Sequence, residues 1–330
     1  MRIALDAMGT DHAPVSEVAG AVAALQDLPD DTRIILVGDR EVVEGELAKH
    51  SGFPGHRIEI CHAPDRVTAS DAPASVLRRK PESSIVVGLR LQKEGQADAF
   101  VSAGSTGAVM ATSLFTLRPL PGVDRPAIGT LLPTSHEPCL MLDAGANVDC
   151  KPHHLVQFAH LGNIYAQDLM GRAKPRVALL NIGEEPEKGD ELTMATHQLL
   201  SADPGINFVG NVEGRDIIQG LCDVVVCDGF VGNVLLKFYE SVAEFVIGML
   251  SSKLDAAGHD LNFQEVFQVL DYAEYGGAPL LGVGGVSIIC HGESTPRAIQ
   301  NALSVAARAV STGMVRHVAR ELALTSENAT

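Results

Sequence analysis

Ten short apolar runs constrain what this chain can fold into more than any other feature of its sequence. They are nearly continuous in Val, Ile, Leu and Ala, as in strands that are covered on both faces. The runs are RIALD (2–6), RIILVG (33–38), RIEICHA (57–63), AFVSAG (99–104), AIGTLLPT (127–134), CLMLDAG (139–145), RVALLNIG (176–183), INFVGNV (206–212), DVVVCDG (223–229) and VSIICHG (286–292). Helical patterns lie between most of them. This alternation predicts an α/β fold, a three-layer α/β/α sandwich around a large, mostly parallel sheet.

The composition agrees with one extended aliphatic core. Of the 330 residues, 46% are hydrophobic but only 4% are aromatic, and Trp is absent. Because no linker or low-complexity segment divides the chain, we predict a single domain over residues 1–330, with two fused lobes as a variant. Within it we expect a helical hairpin to project over 245–270 and a loose tail over 321–330.

Charge and cysteine usage exclude several classes of protein. The formal charge of −16 argues against nucleic-acid binding, and the six cysteines are scattered, with no CxxC pair. The N-terminus lacks a signal-peptide pattern, and no apolar run approaches the roughly 18 residues of a membrane span. We therefore expect a cytoplasmic protein with reduced thiols.

Polar, glycine-rich segments follow seven of the apolar runs. They are DAMGTDH, VSAGSTGA, LDAGANVDCK, NIGEEPEKG, GNVEGRD, CDGFVGN and CHGES. In open α/β sheets, ligands bind at the carboxyl ends of the strands. Glycines let a ligand approach the backbone, and the N–H groups at helix starts attract anions. Ordinary turns use the same residue types, but seven such segments on one edge favour a small anion held mainly by backbone donors.

The segment AGSTGA (103–108) is the best candidate for the anion site. No Lys follows its second glycine, so it is not a Walker loop, and it lacks the full GxGxxG pattern of dinucleotide binding. The predicted phosphate ligands are Ser102, Gly104, Ser105, Thr106, Gly107 and Asn147.

Six motifs connect the chain with a known family. In order they read DAMGTDHAP, VSAGSTGAVMA, LDAGANVDCKP, LLNIGEEPEKG, VCDGFVGNVLLK and YGGAPLLG. In this order and spacing they resemble the bacterial acyl-ACP:phosphate acyltransferases, with a departure at Thr10, where the family usually has a second glycine. The resemblance implies an enzyme that makes acyl phosphate from an acyl-carrier-protein thioester and inorganic phosphate, at the start of phospholipid synthesis. It also implies a fold related to isocitrate and isopropylmalate dehydrogenases and to phosphotransacetylases, with no cofactor and no metal.

That reaction needs donors for two negative charges, on the phosphate and on the developing oxyanion. Lys188 and Lys151 are the lysines at the polar strand ends, where each can neutralise charge or simply pair with a neighbouring carboxylate. The amide of Asn233 can donate to the carbonyl oxygen, or it can cap a helix. We predict that His12 protonates the leaving thiolate. Direct attack by phosphate is favoured over an acyl-enzyme at Cys150, because spacing implies no His or Asp partner for that thiol.

The remaining polar residues at the strand ends are assigned to orienting the turns. His291 is also interpreted as a turn residue. The predicted supporting residues are Asp6, Gly9, Asp11, Asp143, Asp228 and Gly229.

The partners follow from the resemblance. It implies a homodimer that binds the carrier protein and contacts the membrane peripherally, near a downstream glycerol-3-phosphate acyltransferase. The predicted acyl or membrane contacts are Phe245, Met249, Leu250, Leu254 and Leu261, although an ordinary helical hairpin has the same pattern. An acidic carrier needs a basic surface, and LRRKP (77–81) and VRHVAR (315–320) are the densest cationic clusters.

Three alternatives stay open on sequence alone. They are a phosphotransacetylase-like enzyme that uses acyl-CoA, a nicotinamide-dependent dehydrogenase of related fold, and a non-catalytic scaffold for lipid-synthesis enzymes. The dehydrogenase is disfavoured because the cations at these strand ends are chiefly lysines and not arginines.

Overall fold

The computed structural model describes residues 1–68, 70–257 and 275–328, with side chains as far as 249 and 323 in the last two ranges. Eleven strands lie in these residues: β1 (Arg2–Asp6), β2 (Arg33–Gly38), β3 (Ile58–His62), β4 (Ala99–Ser102), β5 (Ala127–Leu132), β6 (Cys139–Leu142), β7 (Val177–Leu180), β8 (Phe208–Val212), β9 (Val224–Val226), β10 (Ala278–Leu281) and β11 (Val286–Ile289). Each of the ten apolar runs contains a strand. The additional strand, β10, lies inside the YGGAPLLG motif.

Eleven α-helices are described: α1 (Val15–Asp27), α2 (Arg40–Leu47), α3 (Val76–Arg79), α4 (Ser84–Lys93), α5 (Thr106–Leu117), α6 (Pro152–Asp168), α7 (Glu191–Ala202), α8 (Gly214–Ile218), α9 (Gly229–Ala257), α10 (Pro296–Thr312) and α11 (Met314–Asn328). Two short 3₁₀ turns cover Gly55–Arg57 and Pro73–Ser75. No helix in the described part of the chain is long and apolar enough to cross a bilayer.

The chain divides into two compact units. The first unit comprises Met1–Pro126, Gln167–Arg172 and Tyr275–Thr330, and the second comprises Ala127–Ala166 and Ala173–Glu274. In the first unit the strand order is β3-β2-β1-β4-β11-β10, and in the second it is β5-β6-β9-β7-β8. The pairs β10/β11 and β5/β6 are antiparallel, whereas the other strand pairs within each unit are parallel. The predicted α/β class with mostly parallel strands is confirmed.

This topology places particular strand ends side by side. In the first unit β1, β4 and β11 are consecutive and parallel, so their carboxyl ends share one edge. In the second unit the same holds for β6, β9, β7 and β8. The polar segments DAMGTDH, VSAGSTGA and CHGES therefore follow neighbouring strands, as do the four segments of the second unit.

The strands are stable here because their aliphatic side chains are removed from water. Ile3 and Leu5 of β1, and Leu140 and Leu142 of β6, have no exposed surface. Burying one such side chain contributes about 1.5–3 kcal/mol. Polar residues are concentrated beyond the strand ends. The turns after the strands are therefore the candidates for a functional site.

The loose tail that the sequence predicts over 321–330 falls partly outside the described residues, which end at 328. Helix α11 continues through Asn328, with Met314, Val318 and Leu322 buried at helical spacing. The helix lies close to the loop at Gly122, where an added Cβ would stand 3.2 Å from the Leu322 carbonyl oxygen.

Candidate functional site

Asp6 joins the ends of β1 and β4 in the first unit. Its Oδ1 accepts a hydrogen bond from the backbone N–H of Met8 at 3.0 Å, and its Oδ2 accepts from the Ser102 hydroxyl at 2.7 Å. The carboxyl group is buried, and this desolvation raises its pKa despite hydrogen bonds from Ser84 and Ser102 that act the other way. The Asp6 carboxyl thus links the turn after β1 to the end of β4.

Gly9 rests directly on the backbone that follows β4. A Cβ at Gly9 would lie 2.7 Å from the nitrogen of Gly104 and 2.8 Å from the carbonyl carbon of Ala103, which is too close for any side chain. The next strand end joins the same cluster, because the N–H of Asp11 donates to the carbonyl of Gly292 at 2.8 Å. The side chains of Asp11 and His12 are exposed. Three polar segments thus meet at one edge of the first unit.

Thr10 and Glu17 form a buried pair beneath this turn. The Thr10 N–H donates to Glu17 Oε1 at 2.7 Å, its hydroxyl donates to Oε2 at 3.0 Å, and neither residue is exposed. Burial raises the pKa of Glu17 to about 7. Arg66 donates to the Thr10 carbonyl at 2.6 Å. Sequence analysis missed Glu17, although an acidic residue on the apolar face of α1 is a signal that could have found it.

The predicted phosphate ligands around α5 divide into two groups. Ser102 is fully buried, and its hydroxyl donates to Asp6 and accepts from the Gly104 N–H at 3.1 Å. The Ser102 hydroxyl and the Gly104 N–H therefore already have hydrogen-bond partners within the protein. Ser105 stands at the N-cap of α5, and its side chain makes no capping hydrogen bond. The first N–H groups of a helix have no intrahelical partner. The backbone of Thr106 and Gly107 therefore offers donors, together with the positive end of the helix dipole, to an anion.

In the second unit, Asp143 holds the turn after β6. Its Oδ1 accepts from the N–H groups of Ile128 (2.9 Å) and Ala146 (3.1 Å). Its Oδ2 accepts from the N–H of Asn147 at 2.7 Å and from the Asn147 side-chain amide at 2.9 Å. Desolvation of the fully buried carboxyl raises its pKa, against these hydrogen bonds. One donor of the Asn147 amide, a predicted phosphate ligand, is thus directed at Asp143.

The start of α9 packs onto that turn. The N–H of Gly229 donates to the Asn147 carbonyl at 2.7 Å, and Asp228 Oδ1 accepts from the N–H groups of Phe230 (2.8 Å) and Val231 (3.0 Å). Asp228 therefore caps the helix. Asn233 lies one turn further, with its Oδ1 at 3.3 Å from the position that a Cβ on Gly145 would occupy. The structure brings Asp143, Asn147, Gly229 and Asn233 together, as two adjacent strand ends require.

Both candidate lysines are exposed at strand ends of the second unit. Lys151 precedes α6, and its N–H donates to His154 Nδ1 at 3.0 Å. Lys188 follows β7 in a turn closed by its N–H, which donates to the Glu185 carbonyl at 3.1 Å. Among the residues that the structure describes, neither ammonium group forms an ion pair.

The cysteines differ in burial, and the deeply buried ones are poor candidates for a nucleophile. All six cysteines are unbridged, and the Cys150 Sγ donates to the Asn147 carbonyl at 3.5 Å. Burial raises the pKa of Cys227 well above its usual range and that of Cys290 to about 12. A buried thiol with a raised pKa is a poor nucleophile.

The predicted acyl or membrane contacts lie at and beyond the end of α9. Phe245 and Met249 are exposed, with 68% and 40% of their surface accessible. Leu250 and Leu254 belong to α9, but their side chains are outside the described part, and Leu261 lies outside the described residues altogether. Exposed apolar residues occur along the part of the helix whose side chains are described: Phe230, Val231, Val234, Phe238, Val242, Phe245 and Met249.

Known proteins resemble this chain over nearly its whole length. The family described as "Fatty acid synthesis protein" matches residues 1–317. The phosphate acyltransferase of Desulforamulus reducens is 52% identical over 329 residues, which cover 98% of this chain and 97% of that protein.

Among solved structures, the EutD phosphotransacetylase of Staphylococcus aureus superposes with a TM-score of 0.64 at 18% identity, and 94% of each chain is covered. A structure from Salmonella typhimurium, assigned as a 4-hydroxythreonine-4-phosphate dehydrogenase, superposes with a TM-score of 0.55 at 13% identity, covering 93% of this chain and 98% of that one. At these identities the likeness concerns the fold, and it agrees with the predicted relation to phosphotransacetylases and dehydrogenases.

Proposed function

This chain belongs to the fatty acid synthesis protein family, and from that premise we propose that it transfers an acyl group from an acyl-carrier-protein thioester to inorganic phosphate. It is a phosphate acyltransferase. A phosphate oxygen attacks the thioester carbonyl carbon, so that a C–O bond forms and the C–S bond breaks. The thiolate leaves on the carrier and takes up a proton. Phosphate is largely dianionic at neutral pH if its second pKa is about 6, and therefore needs positioning more than a base.

The observation that carries this proposal is the start of α5. Its N-terminal N–H groups receive no cap from the Ser105 side chain, and they follow β4 at the edge where three polar segments meet. A helix start with available donors suits a dianion. In this proposal Ser105, Thr106 and Gly107 bind phosphate, while Ser102 and Gly104 shape the turn.

The residues of the second unit have separate roles. Lys188 and Lys151 neutralise negative charge that develops in the reaction, and Asn233 donates to the carbonyl oxygen. Asn147 contributes its backbone turn and its amide. Removing one oxyanion donor typically lowers the rate by about 10²–10³. In the first unit, His12 supplies the proton to the thiolate, and its exposed position after β1 leaves it accessible to solvent.

The test of the reaction is phosphate-dependent loss of acyl-ACP thioester, with the acyl phosphate trapped as a hydroxamate. Parallel reactions with acyl-CoA, and with a nicotinamide cofactor and a hydroxy acid, distinguish the two alternative enzymes. We expect hydroxamate only when both phosphate and acyl-ACP are present. Absence of turnover with acyl-ACP of several chain lengths would refute the proposal.

The anion site has its own test in Ser105→Asp. Asp is as good an N-cap as Ser, so the helix is retained, but its carboxylate competes with phosphate for the same N–H groups. We expect the KM for phosphate to rise about tenfold or more, with the KM for acyl-ACP unchanged. Ser105→Asn is the matched control, because it caps equally well without charge. An equal rise in both variants would contradict binding at this helix.

A basic surface for the carrier is proposed at the LRRKP segment. Arg78 and Arg79 are exposed in α3 and form no ion pair within the described ranges, whereas Lys80 is paired with Asp71 at 2.7 Å. The preceding 3₁₀ turn lies beside the start of α5, because a Cβ on Gly107 would approach Pro73 Cγ to 2.9 Å. Reversal of charge by Arg78→Glu is expected to raise the KM for acyl-ACP at low salt only. An unchanged KM would exclude this surface.

Peripheral membrane contact and a homodimer complete the proposal. The exposed apolar side chains at the end of α9 support insertion by Phe245 and Met249, near a glycerol-3-phosphate acyltransferase that consumes the product. Vesicle flotation of Phe245→Ser is expected to show reduced binding, with Phe115→Ser, another exposed Phe, as the control. Equal flotation of both variants would contradict insertion at α9.

Light scattering of the purified protein tests the proposed homodimer. A monomeric mass would exclude it.

A further inference from the structure

The segment between β7 and α7, residues 181–190, is called here the Lys188 loop. Glu185 to Lys188 form a β-turn, closed by the 3.1 Å hydrogen bond from the Lys188 N–H to the Glu185 carbonyl. Pro186 occupies the second position of this turn, where its fixed φ is favourable. The Lys188 stem lies against Gly183, where an added Cβ would stand 2.9 Å from Lys188 Cγ. The sequence thus prescribes the turn locally, but not its attachment to the sheet.

Asn211 of β8 attaches the turn to the sheet. Its Nδ2 donates to the same Glu185 carbonyl at 2.9 Å, so that this oxygen accepts both the closing bond of the turn and the Asn211 amide. The side chain is 6% exposed. Among the described residues its Oδ1 has no hydrogen-bond partner. A buried amide with one unused end is a poor choice for stability alone, since an apolar side chain of the same size would leave nothing unpaired.

The backbone around Asn211 is adapted to this contact. β8 pairs with β7 through Val177–Phe208 and then Leu179–Asn211, so β8 contains one extra residue between these pairs. This bulge coincides with Gly210, whose φ of 98° is accessible mainly to glycine. Bulges of this kind re-aim the side chain that follows. Here the residue that follows is Asn211.

Asn181 holds the other side of the Lys188 loop. Its Nδ2 donates to the Lys188 carbonyl at 3.0 Å, and its Oδ1 accepts from the Ile182 N–H at 2.8 Å. Gly189, with a φ of 98°, leaves room for this amide, because a Cβ there would come within 2.5 Å of Asn181 Oδ1. Both backbone polar groups of Lys188 are therefore bonded, while its side chain is exposed.

We propose that Asn211 is a positioning residue for Lys188: by holding the Glu185 carbonyl against β8, it fixes the turn that presents the Lys188 ammonium group. This inference rests on the role given to Lys188 in the proposed function. A loosened turn lowers the fraction of molecules with the ammonium group in place, which lowers kcat and leaves the KM for acyl-ACP unchanged.

The decisive variant is Asn211→Leu, which keeps the number and branching of the side-chain heavy atoms and removes both the donor and the unpartnered oxygen. We expect an unchanged or higher melting temperature, about fivefold faster amide exchange in the peptide 182–190, and a fall in kcat of about tenfold to a hundredfold. Exchange in α7 serves as the internal reference. Val209→Thr, an exposed change on the same strand, is the matched control and is expected to alter none of these quantities.

A double-mutant cycle with Lys188→Met separates positioning from a general structural role. If Asn211 acts through Lys188, Asn211→Leu lowers kcat strongly in the parent and hardly at all in the Lys188→Met background. Equal reductions in both backgrounds, a lowered melting temperature that accounts for the loss, or unchanged exchange in 182–190 would overturn the proposal.

Failure of the proposed function gives a different pattern. If Lys188→Met leaves kcat unchanged, the role of Lys188 is refuted, and positioning for catalysis falls with it. If the parent makes no acyl hydroxamate, the proposed reaction is refuted, and the exchange measurement then decides by itself whether Asn211 fixes the Lys188 loop.

Discussion

The two units end a strand with the same residue type but enclose it differently. Asp143 in the second unit receives three backbone N–H groups and one side-chain amide, so its turn is held almost entirely by main chain. Asp6 in the first unit receives one backbone N–H and hydroxyl groups, and a second buried carboxyl, Glu17, lies beneath the same turn. Lys151 and Lys188, the candidate cations of the second unit, are exposed.

The two units therefore differ in what their buried carboxyls do: Asp143 accepts hydrogen bonds that fix its turn, whereas Glu17 is a group that titrates near neutral pH. A carboxylate surrounded by N–H donors is a structural fixture whose removal leaves those donors unpaired. Burial raises the pKa of both carboxyls. Glu17 accepts hydrogen bonds from the N–H and the hydroxyl of Thr10, and its pKa is raised to about 7. In the first unit a buried carboxyl with a raised pKa therefore lies beside the turn that contacts the start of α5, whereas Lys151 and Lys188 of the second unit are exposed to solvent.

The largest effect is expected for Asp143→Leu. It deprives four donors of their acceptor, and since an orphaned buried donor costs about 1–3 kcal/mol, the free energy of unfolding should fall by about 4 kcal/mol. Urea denaturation measures this. The reference is Asp228→Ala, which removes an exposed helix cap and should cost about 1 kcal/mol. Equal losses in the two variants would show that Asp143 does not hold its turn as described.

A somewhat smaller effect concerns pH and Glu17. The unfolded chain releases the Glu17 proton near pH 4.5, whereas the folded protein keeps it to about pH 7. The stabilisation is therefore fully present below pH 4.5 and is lost as pH rises through 7, amounting to about 3 kcal/mol. Glu17→Gln removes this contribution. The difference in unfolding free energy between parent and variant, measured from pH 4.5 to 8, should change by that amount, and a constant difference would place the titration of Glu17 elsewhere.

The smallest effect is expected for Thr10→Val. The shape is kept, but the 3.0 Å hydrogen bond from the hydroxyl to Glu17 is lost, at a cost of about 1 kcal/mol. Because this bond stabilises the ionised carboxylate, the loss should be greater at pH 8 than at pH 5. Urea denaturation at the two pH values checks this, and a greater loss at pH 5 would mean that the hydroxyl serves the protonated acid instead.

Sequence alone predicted the strands and the polar character of their ends, because both follow from local patterns. It missed β10, whose four residues include Pro279 and lie between Gly277 and Gly282, a composition typical of a loop. Its antiparallel pairing with β11, which is a long-range property, makes it a strand.

Residues whose role depends on contacts outside their own motif were the hardest part of the site to predict from the sequence. Ser102 resembles a phosphate ligand in its motif, but its hydroxyl is directed at Asp6, 96 positions away in the chain. Asn211 and Glu17 lie within a strand and a helix, where periodicity marks only buried or exposed faces. Asn211 is singled out by its hydrogen bond to the Glu185 carbonyl, and Glu17 by its hydrogen bond from the Thr10 hydroxyl. No pattern of residue spacing predicts either hydrogen bond.

The contact of Gly9 with the backbone of Ala103 and Gly104 has a practical consequence for classifying unfamiliar sequences. Any residue larger than glycine at that position would push the DAMGTDH segment away from the start of α5. The backbone N–H groups there would then be displaced. In a diverged chain that retains the flanking motifs, alanine or serine at this one place would accordingly predict a different backbone path between the first two polar segments.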